Sequence, residues 1–600
     1  MSLPNILTMP RPGAFVPSTY QEAVYAWVEK HVPLPGQHSL LIEAVAGSGK
    51  SYTIEEAGTR LPPGKKVIYV AFTQHIADAL RPKVGGKEVK TVHSLGLGAL
   101  YQRLPRLTVD KENYKYRDRY TTTATSLSAV LLGFHAEGRL KEPPLEYSEI
   151  RENVSKIVEM TMLSCVEPGD VATMVRLAED YDAEGNTDEE TYYTCLACAD
   201  IIEEGVVQAQ TEGVIAFLDM LYLPLRWDLK LPARDWVLVD ERQDLSPAAL
   251  RMILKLRGPN TKMVFVGDEN QAIFRFAGAS TDNVRKLKEV TNAEELPLSI
   301  CYRCPEKVVA LAKRFVPQIE ARPNAPLGEV GVLRRGQVAS QVKAGDLILC
   351  RTTAPLVTLC IALIRDRVAA TVRGRDLSKG LVRVVRDVEK MEGYTWAEFS
   401  KHLDLYRVQM LEKLSSKRNG DEKSARFLDS YAGVQVCHEA FPAKDASQLV
   451  REIEHLFSDE KSAVVLSTVH RAKGLQNPRV MILGPEKMPL VWRGQGEDDA
   501  RQEANLIYVA MTRAQETLYF ITDVDGGWWP KDLVIPVATQ MAPAPKEGVG
   551  KKVRCLFCGG VLFPEQWGDS GGFSLTCEDC GAWGPKKSTP DEARKAYRMK

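Results

Sequence analysis

Apolar runs that stop at a small or acidic residue, each followed by a mixed polar and apolar stretch, recur along the chain. In SLLIEAVAGSGKSYTIEEAG (residues 39–58) the run reads as a buried strand, the small residues as a loop and the remainder as a helix. KKVIYVAFTQHIADAL (65–80), DWVLVDERQDLSPAALRMIL (235–254) and TKMVFVGDENQAIF (261–274) repeat strand then helix. Such alternation predicts a parallel sheet covered by helices. A second set, GDLILCRTTAPLVTLCIALI, AVVLSTVHRAKGL, RVMILGPEK and TLYFITDV, lies too far along the chain to extend the first sheet and predicts a second α/β domain.

Between these sets the pattern turns helical and polar, over about 100 to 207 and 380 to 458, as insertions into the two sheets. Within the second, KLSSKRNGDEKSAR reads as a solvated loop. IPVATQMAPAPKEGVGKK (535–552) has no apolar period and reads as a tether to a C-terminal module.

Composition adds bounds. Lys+Arg and Asp+Glu are 78 each, so attraction to a polyanion must come from a local groove rather than from the bulk field. With 44% hydrophobic residues and no apolar run long enough to span a bilayer, no membrane segment is expected. The start, MSLPNILTMPRPGAF, has no basic and apolar leader, which predicts an intracellular protein, cytoplasmic with the nucleus left open.

The first loop carries candidate chemistry. Ala46, Gly47, Ser48 and Gly49 can bring backbone N–H groups onto phosphate oxygens, Lys50 adds a charge, and the Ser51 hydroxyl can ligate magnesium. Ala44 stands where the GxxxxGK[ST] pattern has its first glycine. A nucleotide hydrolase also needs a carboxylate for the metal and a base for water, at the end of a neighbouring strand. In WVLVDERQD, Asp240 suits the Mg²⁺ and Glu241 the base.

With Gln243 and Asp244 this becomes the DExQD form of that motif, and the chain resembles superfamily 1 helicases of the UvrD/Rep type. The resemblance runs in order over residues 15 to 525: PSTYQEAV, AVAGSGKS, VAFTQHIA, TVHSLG, IAFLDML, VLVDERQD, VGDENQAIFRFAGA, ICYRCP, STVHRAKGL and LIYVAMTRA. It implies two RecA-like parallel-sheet P-loop NTPase domains with helical insertions, and with them an ATP-dependent helicase moving 3′ to 5′ on single-stranded DNA and acting at single-strand/duplex junctions. Domain 1A would be 1–103 and 208–290, 1B 104–207, 2A 291–379 and 459–534, and 2B a reduced 380–458.

Carried over by position, Gln21 would bond the adenine edge and Tyr302 stack on its face. Gln271 would sense the γ-phosphate and the attacking water, and Arg303 and Arg513 would stabilise charge on the transferred phosphoryl group. The resemblance places Phe72, Thr73, His93, Phe276 and His470 against the DNA strand. Two departures stand out: Ala277 replaces the arginine before Gly-Ala in the third motif, and Gln476 replaces the acid of KGLE near the nucleotide. An RNA or RNA–DNA hybrid helicase, or an ATP-gated DNA scaffold with weak motor activity, stays open at this point.

Near the C-terminus, Cys555, Cys558, Cys577 and Cys580 form CxxC, eighteen residues, CxxC. This spacing predicts a small zinc ribbon over 551–585 with structural Zn²⁺, preceded by the linker 535–550 and followed by a basic tail at 586–600. A ribbon could bind DNA or a partner protein. The CLAC at 195–198 and CYRC at 301–304 read as core thiols.

Overall fold

A computed structural model describes residues 16–104, 106–273, 281–415, 420–457, 464–490 and 497–524, together with three short C-terminal strands. Two six-stranded sheets dominate it. The first runs, from edge to edge, Glu88–Thr91, Val67–Ala71, Trp236–Val239, Lys262–Gly267, His38–Ala44 and Glu294–Leu298. Every pairing in it is parallel. Its central strands are buried throughout, as in VIYVA, WVLV and KMVFVG, because helices cover both faces.

The second sheet runs Glu329–Leu333, Ala514–Ile521, Asn477–Leu483, Asp346–Cys350, Val464–Thr468 and Ala370–Val372, again all parallel. The α/β class and the two-sheet reading of the pattern therefore hold. Among the described residues, no helix is long and apolar enough to cross a membrane.

The two helical insertions are anchored differently. Helices Tyr114–Ala136, Tyr147–Ser164, Val171–Asp180 and Asp188–Glu212 enclose their own core, with Tyr116, Leu131, Val154 and Ile202 fully buried. Inside it Lys115 Nζ donates to Asp219 Oδ2 at 2.7 Å and Tyr116 Oη to Asp219 Oδ1 at 2.7 Å, so this buried charge is paired and hydrogen-bonded. Helices Arg375–Glu389, Phe399–Ser415, Gly420–Ala440 and Ala446–Leu456 instead share one continuous core with the second sheet, through Val385, Val434, Ile453, Leu466 and Ile521.

Three sequence expectations need adjustment. KLSSKRNGDEKSAR is not a loop over its described part: one helix runs into it as far as Ser415 and the next starts at Gly420. The charged residues of those described parts lie on the solvent side of helices whose other side carries Phe399, Leu403 and Tyr431 into the core. The boundary at 207 falls inside helix Asp188–Glu212, and that at 379 inside helix Arg375–Glu389, each helix continuing through a glycine, Gly205 and Gly380.

Candidate functional site

The cleft is built where the strand His38–Ala44 turns into helix Lys50–Thr59. Gly47 (φ 69°) and Gly49 (φ 79°) take left-handed backbone there. At Gly47 the requirement is double, since a Cβ would also sit 2.6 Å from Arg303 Cβ. The loop is held by the second sheet's domain: Tyr302 N donates to Gly47 O at 2.8 Å, and Ala46 N donates to Tyr508 Oη at 2.7 Å. Ser48 Oγ is buried without a hydrogen-bond partner, which suits a cradle completed by an acceptor from outside the chain.

The strand Trp236–Val239 delivers Asp240 and Glu241 beside this loop. Ser51 Oγ donates to Asp240 Oδ2 at 2.6 Å, and Lys50 Nζ lies 3.4 Å from Glu241 Oε2. Glu241 itself has φ 53°, a left-handed backbone unusual for a residue with a side chain and common where function over-determines conformation. Gln243 Nε2 donates to Glu241 Oε2 at 2.5 Å, and Gln243 Oε1 accepts from Asp268 N at 3.1 Å.

Neighbouring charges pull the pair apart electrostatically. Asp240 is raised by burial and by the Glu241 charge. Burial works on Glu241 in the same direction, but the Lys50 and Lys473 ammonium groups override it and hold Glu241 low, so it stays ionised. The hydroxyl of Ser51 and the carboxylate of Asp240 are hard oxygen donors side by side, the chemistry Mg²⁺ takes.

From across the cleft, Arg513 is fully buried and donates through Nη2 to Gln271 Oε1 at 3.2 Å, through Nε to Val509 O and through Nη1 to Leu475 O. Gln271 Nε2 in turn donates to Asp268 Oδ2 at 2.7 Å. Arg303 Nη1 donates to Thr512 O at 3.1 Å, and its Nε is buried without a partner. Burial beside the Arg303 charge brings Arg513 down to about 10. Gln21 Nε2 donates to Thr53 Oγ1 at 3.1 Å, and Tyr302 Oη reaches Gln21 Oε1 at 3.4 Å, so these two stand together at the loop's flank.

The sequence thus names residues that the fold brings into one cleft: Gln21, the loop 46–51, Asp240, Glu241, Gln271, Tyr302, Arg303 and Arg513. Gln476 is exposed. Two members of the cleft were not singled out from sequence. Lys473 Nζ donates to Asp244 Oδ1 at 2.5 Å and to Gln271 O at 2.6 Å. Tyr508 Oη lies 3.4 Å from Asp268 Oδ2. Both Lys473 and Tyr508 lie inside quoted motifs, HRAKGL and LIYVAMTRA, but a lysine or a tyrosine in such a run has no spacing that marks it.

The candidate strand contacts are mixed. Half-buried His93 stacks on Phe217 with ring centroids 3.9 Å apart and planes 19° apart, and Phe217 is 59% exposed. Phe217 was another omission, carried by IAFLDML. Phe72 and His470 are half-buried, and Thr73 is exposed while its hydroxyl caps the following helix by accepting from Ile76 N at 3.3 Å. Phe276, Arg275 and Ala277 lie outside the described residues, as do Cys555, Cys558 and Cys580, and the Cys577 side chain is likewise not described. Among the described residues there is no cluster of His, Cys, Asp or Glu fit for a metal ion.

Comparison with known proteins bears on what this cleft is. The UvrD/REP helicase N-terminal domain matches residues 29–292, and the UvrD-like helicase C-terminal domain matches residues 463–521. The chain carries both UvrD-type helicase domains. The N-terminal match holds the phosphate loop, Asp240, Glu241 and Gln271, and the C-terminal match holds Lys473, Tyr508 and Arg513.

Among the relatives, a probable DNA helicase II homolog of Mycoplasma pneumoniae is 30% identical over 394 residues, 50% of this chain and 55% of that protein. The ATP-dependent DNA helicase UvrD2 of Mycobacterium bovis is 24% identical over 383 residues, 54% of each chain. The ATP-dependent DNA helicase PcrA of Staphylococcus aureus is 41% identical over 75 residues, 12% of this chain and 10% of that one. The alignments with the first two span about half the length of those relatives.

Proposed function

We propose that this chain is an ATP-dependent DNA helicase that moves on single-stranded DNA, in the 3′ to 5′ direction, by hydrolysing ATP between its two sheets, and opens duplex at single-strand junctions. The observation that carries this reading is the contact of Arg513, Tyr302 and Arg303 from one domain with Gln271 and the phosphate loop of the other. A nucleotide bound there touches both halves, so its hydrolysis changes how they fit.

Each side chain then has a task that its geometry supports. Gln21 and Tyr302 take the adenine. The amides of 46–49 and Lys50 take the phosphates, and Arg303 and Arg513 face the charge that develops on the γ-phosphoryl group. Ser51 and Asp240 would hold Mg²⁺, which when bound neutralises phosphate charge.

Glu241 is the base for the attacking water. Lys50 Nζ lies 3.4 Å from Glu241 Oε2, and one ammonium cannot serve both the carboxylate and the phosphates fully. Nucleotide therefore weakens the interaction that holds Glu241 low and leaves Oε2 a better proton acceptor. Gln271, bonded to Arg513 on one side and Asp268 on the other, positions that water. On the nucleic-acid face, Phe72, Thr73, His93, Phe276 and His470 would meet the strand, with bases stacking on the aromatic rings.

For the C-terminal module we propose a zinc ribbon. Its three strands, Val553–Arg554, Val561–Trp567 and Gly572–Cys577, form an antiparallel sheet in which Arg554 pairs with Val561 and Leu562 with Cys577. That register puts the end of the first strand at Arg554, the start of the second and the end of the third at Cys577 at one end of the sheet. Four thiolates leave no open position, so the ion would be structural.

The test is ATP hydrolysis by wild type and Glu241→Gln, each with and without single-stranded DNA. Turnover should rise with DNA in the wild type and fall by about 10²- to 10⁴-fold in the variant, with nucleotide binding retained. Turnover indifferent to DNA, or unchanged in the variant, would defeat the reading. One equivalent of zinc in the purified chain, lost with Cys577→Ser, checks the ribbon.

A further inference from the structure

Residues 301–304 read Cys-Tyr-Arg-Cys, so two thiols bracket the adenine-stacking tyrosine and one of the arginines. Both cysteines are buried and both are free. Cys304 N donates to Cys301 Sγ at 3.4 Å, and Cys304 Sγ donates to Thr512 O at 3.6 Å, the same carbonyl that accepts from Arg303 Nη1. Cys301 Sγ also abuts the phosphate loop: a Cβ on Gly47 would lie 3.1 Å from it.

Cys301 has the surroundings of a reactive thiol. The Cys304 side chain beside it, the N–H groups of Cys304 and Arg303 and the Arg303 charge pull Cys301 down against the effect of burial. Cys304 moves the other way, held protonated by the neighbouring Cys301 sulfur and by burial, with its S–H donating to Thr512 O. The division between an attacking sulfur and a resolving one is therefore built in.

A second Cys-x-x-Cys in the same chain gives the contrast. Cys195 and Cys198 lie on consecutive turns of one helix in the core of the first insertion, and burial pushes both thiols up, Cys195 to about 12 and Cys198 with a further push from Cys195. Both thiols are thereby held protonated, and a protonated thiol is a poor nucleophile.

We propose that Cys301 and Cys304 form a reversible disulfide when a hydroperoxide reaches the cleft, and that the disulfide displaces Tyr302 and Arg303 and stops ATP turnover. The loss of turnover rests on the nucleotide-cleft reading above, whereas the bond itself does not. In the first step the Cys301 thiolate attacks one peroxide oxygen, the S–O bond forms, the O–O bond breaks, and the departing hydroxide takes up a proton to leave as water. In the second, Cys304 sulfur attacks Cys301 sulfur, the S–S bond forms, the S–O bond breaks, and hydroxide leaves as water with the Cys304 proton. Two thiols lose two electrons, and hydrogen peroxide becomes two waters.

The structural cost falls on the nucleotide side. To bond Cys301, Cys304 Sγ must leave Thr512 O, and both cysteines must adopt the narrow Cβ spacing of a disulfide, about 3.8 Å. Tyr302 and Arg303 lie between them and move with them, which disturbs the Tyr302 N to Gly47 O bond and the Arg303 contact to Thr512.

The full chain is treated with hydrogen peroxide, alkylated, digested and mapped by mass, while ATP turnover and ATP binding by equilibrium dialysis are followed on the same samples. The peptide joining Cys301 and Cys304 should lose two hydrogen atoms, turnover should fall about tenfold or more, and dithiothreitol should restore both. Cys301→Ala and Cys304→Ser, each compared with its own reduced rate, should show no such bond and no loss reversed by dithiothreitol. Cys195 and Cys198 should remain alkylated throughout as thiols.

Recovery of Cys301 and Cys304 as alkylated thiols after peroxide would overturn the proposal, and so would a disulfide that leaves turnover unchanged. A reduced wild type without ATP turnover would instead count against the functional reading. The mass map then still decides the bond, and ATP binding decides its effect.

Discussion

Tyr508 Oη sits between two groups that a nucleotide would rearrange: it accepts from Ala46 N at 2.7 Å and lies 3.4 Å from Asp268 Oδ2. Its hydroxyl thereby satisfies a loop amide that a phosphate oxygen would otherwise take, and links that amide to the buried acid holding Gln271. Tyr508→Phe keeps the ring's packing and removes only this link. It should lower kcat several-fold more than it raises KM for ATP, a split that steady-state ATPase kinetics measures directly. The half-buried histidines argue a pH dependence. Burial brings His93 down to about 4 and, with Arg351 and Arg426 nearby, His470 down to about 3. The unfolded chain takes up these protons from about pH 6.5 downward and the folded chain does not, so stability is complete above that point and is lost as pH falls toward 4. Thermal melts of His470→Gln should accordingly lose less Tm than wild type between about pH 7 and pH 5.

Helices and strands set how closely those residues can approach, and here the sequence was most readable. Apolar runs such as WVLV and VIYVA became fully buried parallel strands because nothing but a two-faced core suits them. The acids after WVLV and the small residues after LLIEA were legible as chemistry for the same reason: a buried strand ends in charge only where something uses it. What pattern could not supply was contact across the chain. Lys473, Tyr508 and Phe217 gain their place only when strands far apart in sequence are brought together, and the charged stretches ending at Ser415 and starting at Gly420 read as a loop because only their solvent face was visible in the sequence. Close helix contacts belong to the same class. Helix Val92–Arg103 meets helix Asp219–Arg226 at Gly96, where a Cβ would fall 1.6 Å from Met220 O. Backbone cannot yield as a side-chain tip can, so Gly96→Ala should cost about 1–3 kcal/mol or more in urea unfolding, despite alanine's better helix propensity.

Across the whole molecule, the two insertions meet through pairs of opposite charge. The second insertion presents Arg383, Lys413 and Lys423, and the first answers with glutamates: Arg383 lies 3.0 Å from Glu152, Lys413 lies 2.8 Å from Glu146 and 2.9 Å from Glu149, and Lys423 lies 3.5 Å from Glu184. Each of these pairs, partly open to water, contributes about 0–1 kcal/mol. Their sum is enough to bias an arrangement but not to lock it, and it is exposed to competition from any polyanion that reaches the same cations. Lys413, with two carboxylate partners, contributes most to the contact. Distance between dyes placed on the two insertions, read by single-molecule energy transfer, should lengthen as salt shortens the Debye length from about 10 Å to about 3 Å. Lys413→Glu should produce the longer distance already at low salt, by turning attraction into repulsion, and Lys413→Gln should fall between. If the distance ignores both salt and the charge reversal, apolar packing rather than these ion pairs holds the insertions together.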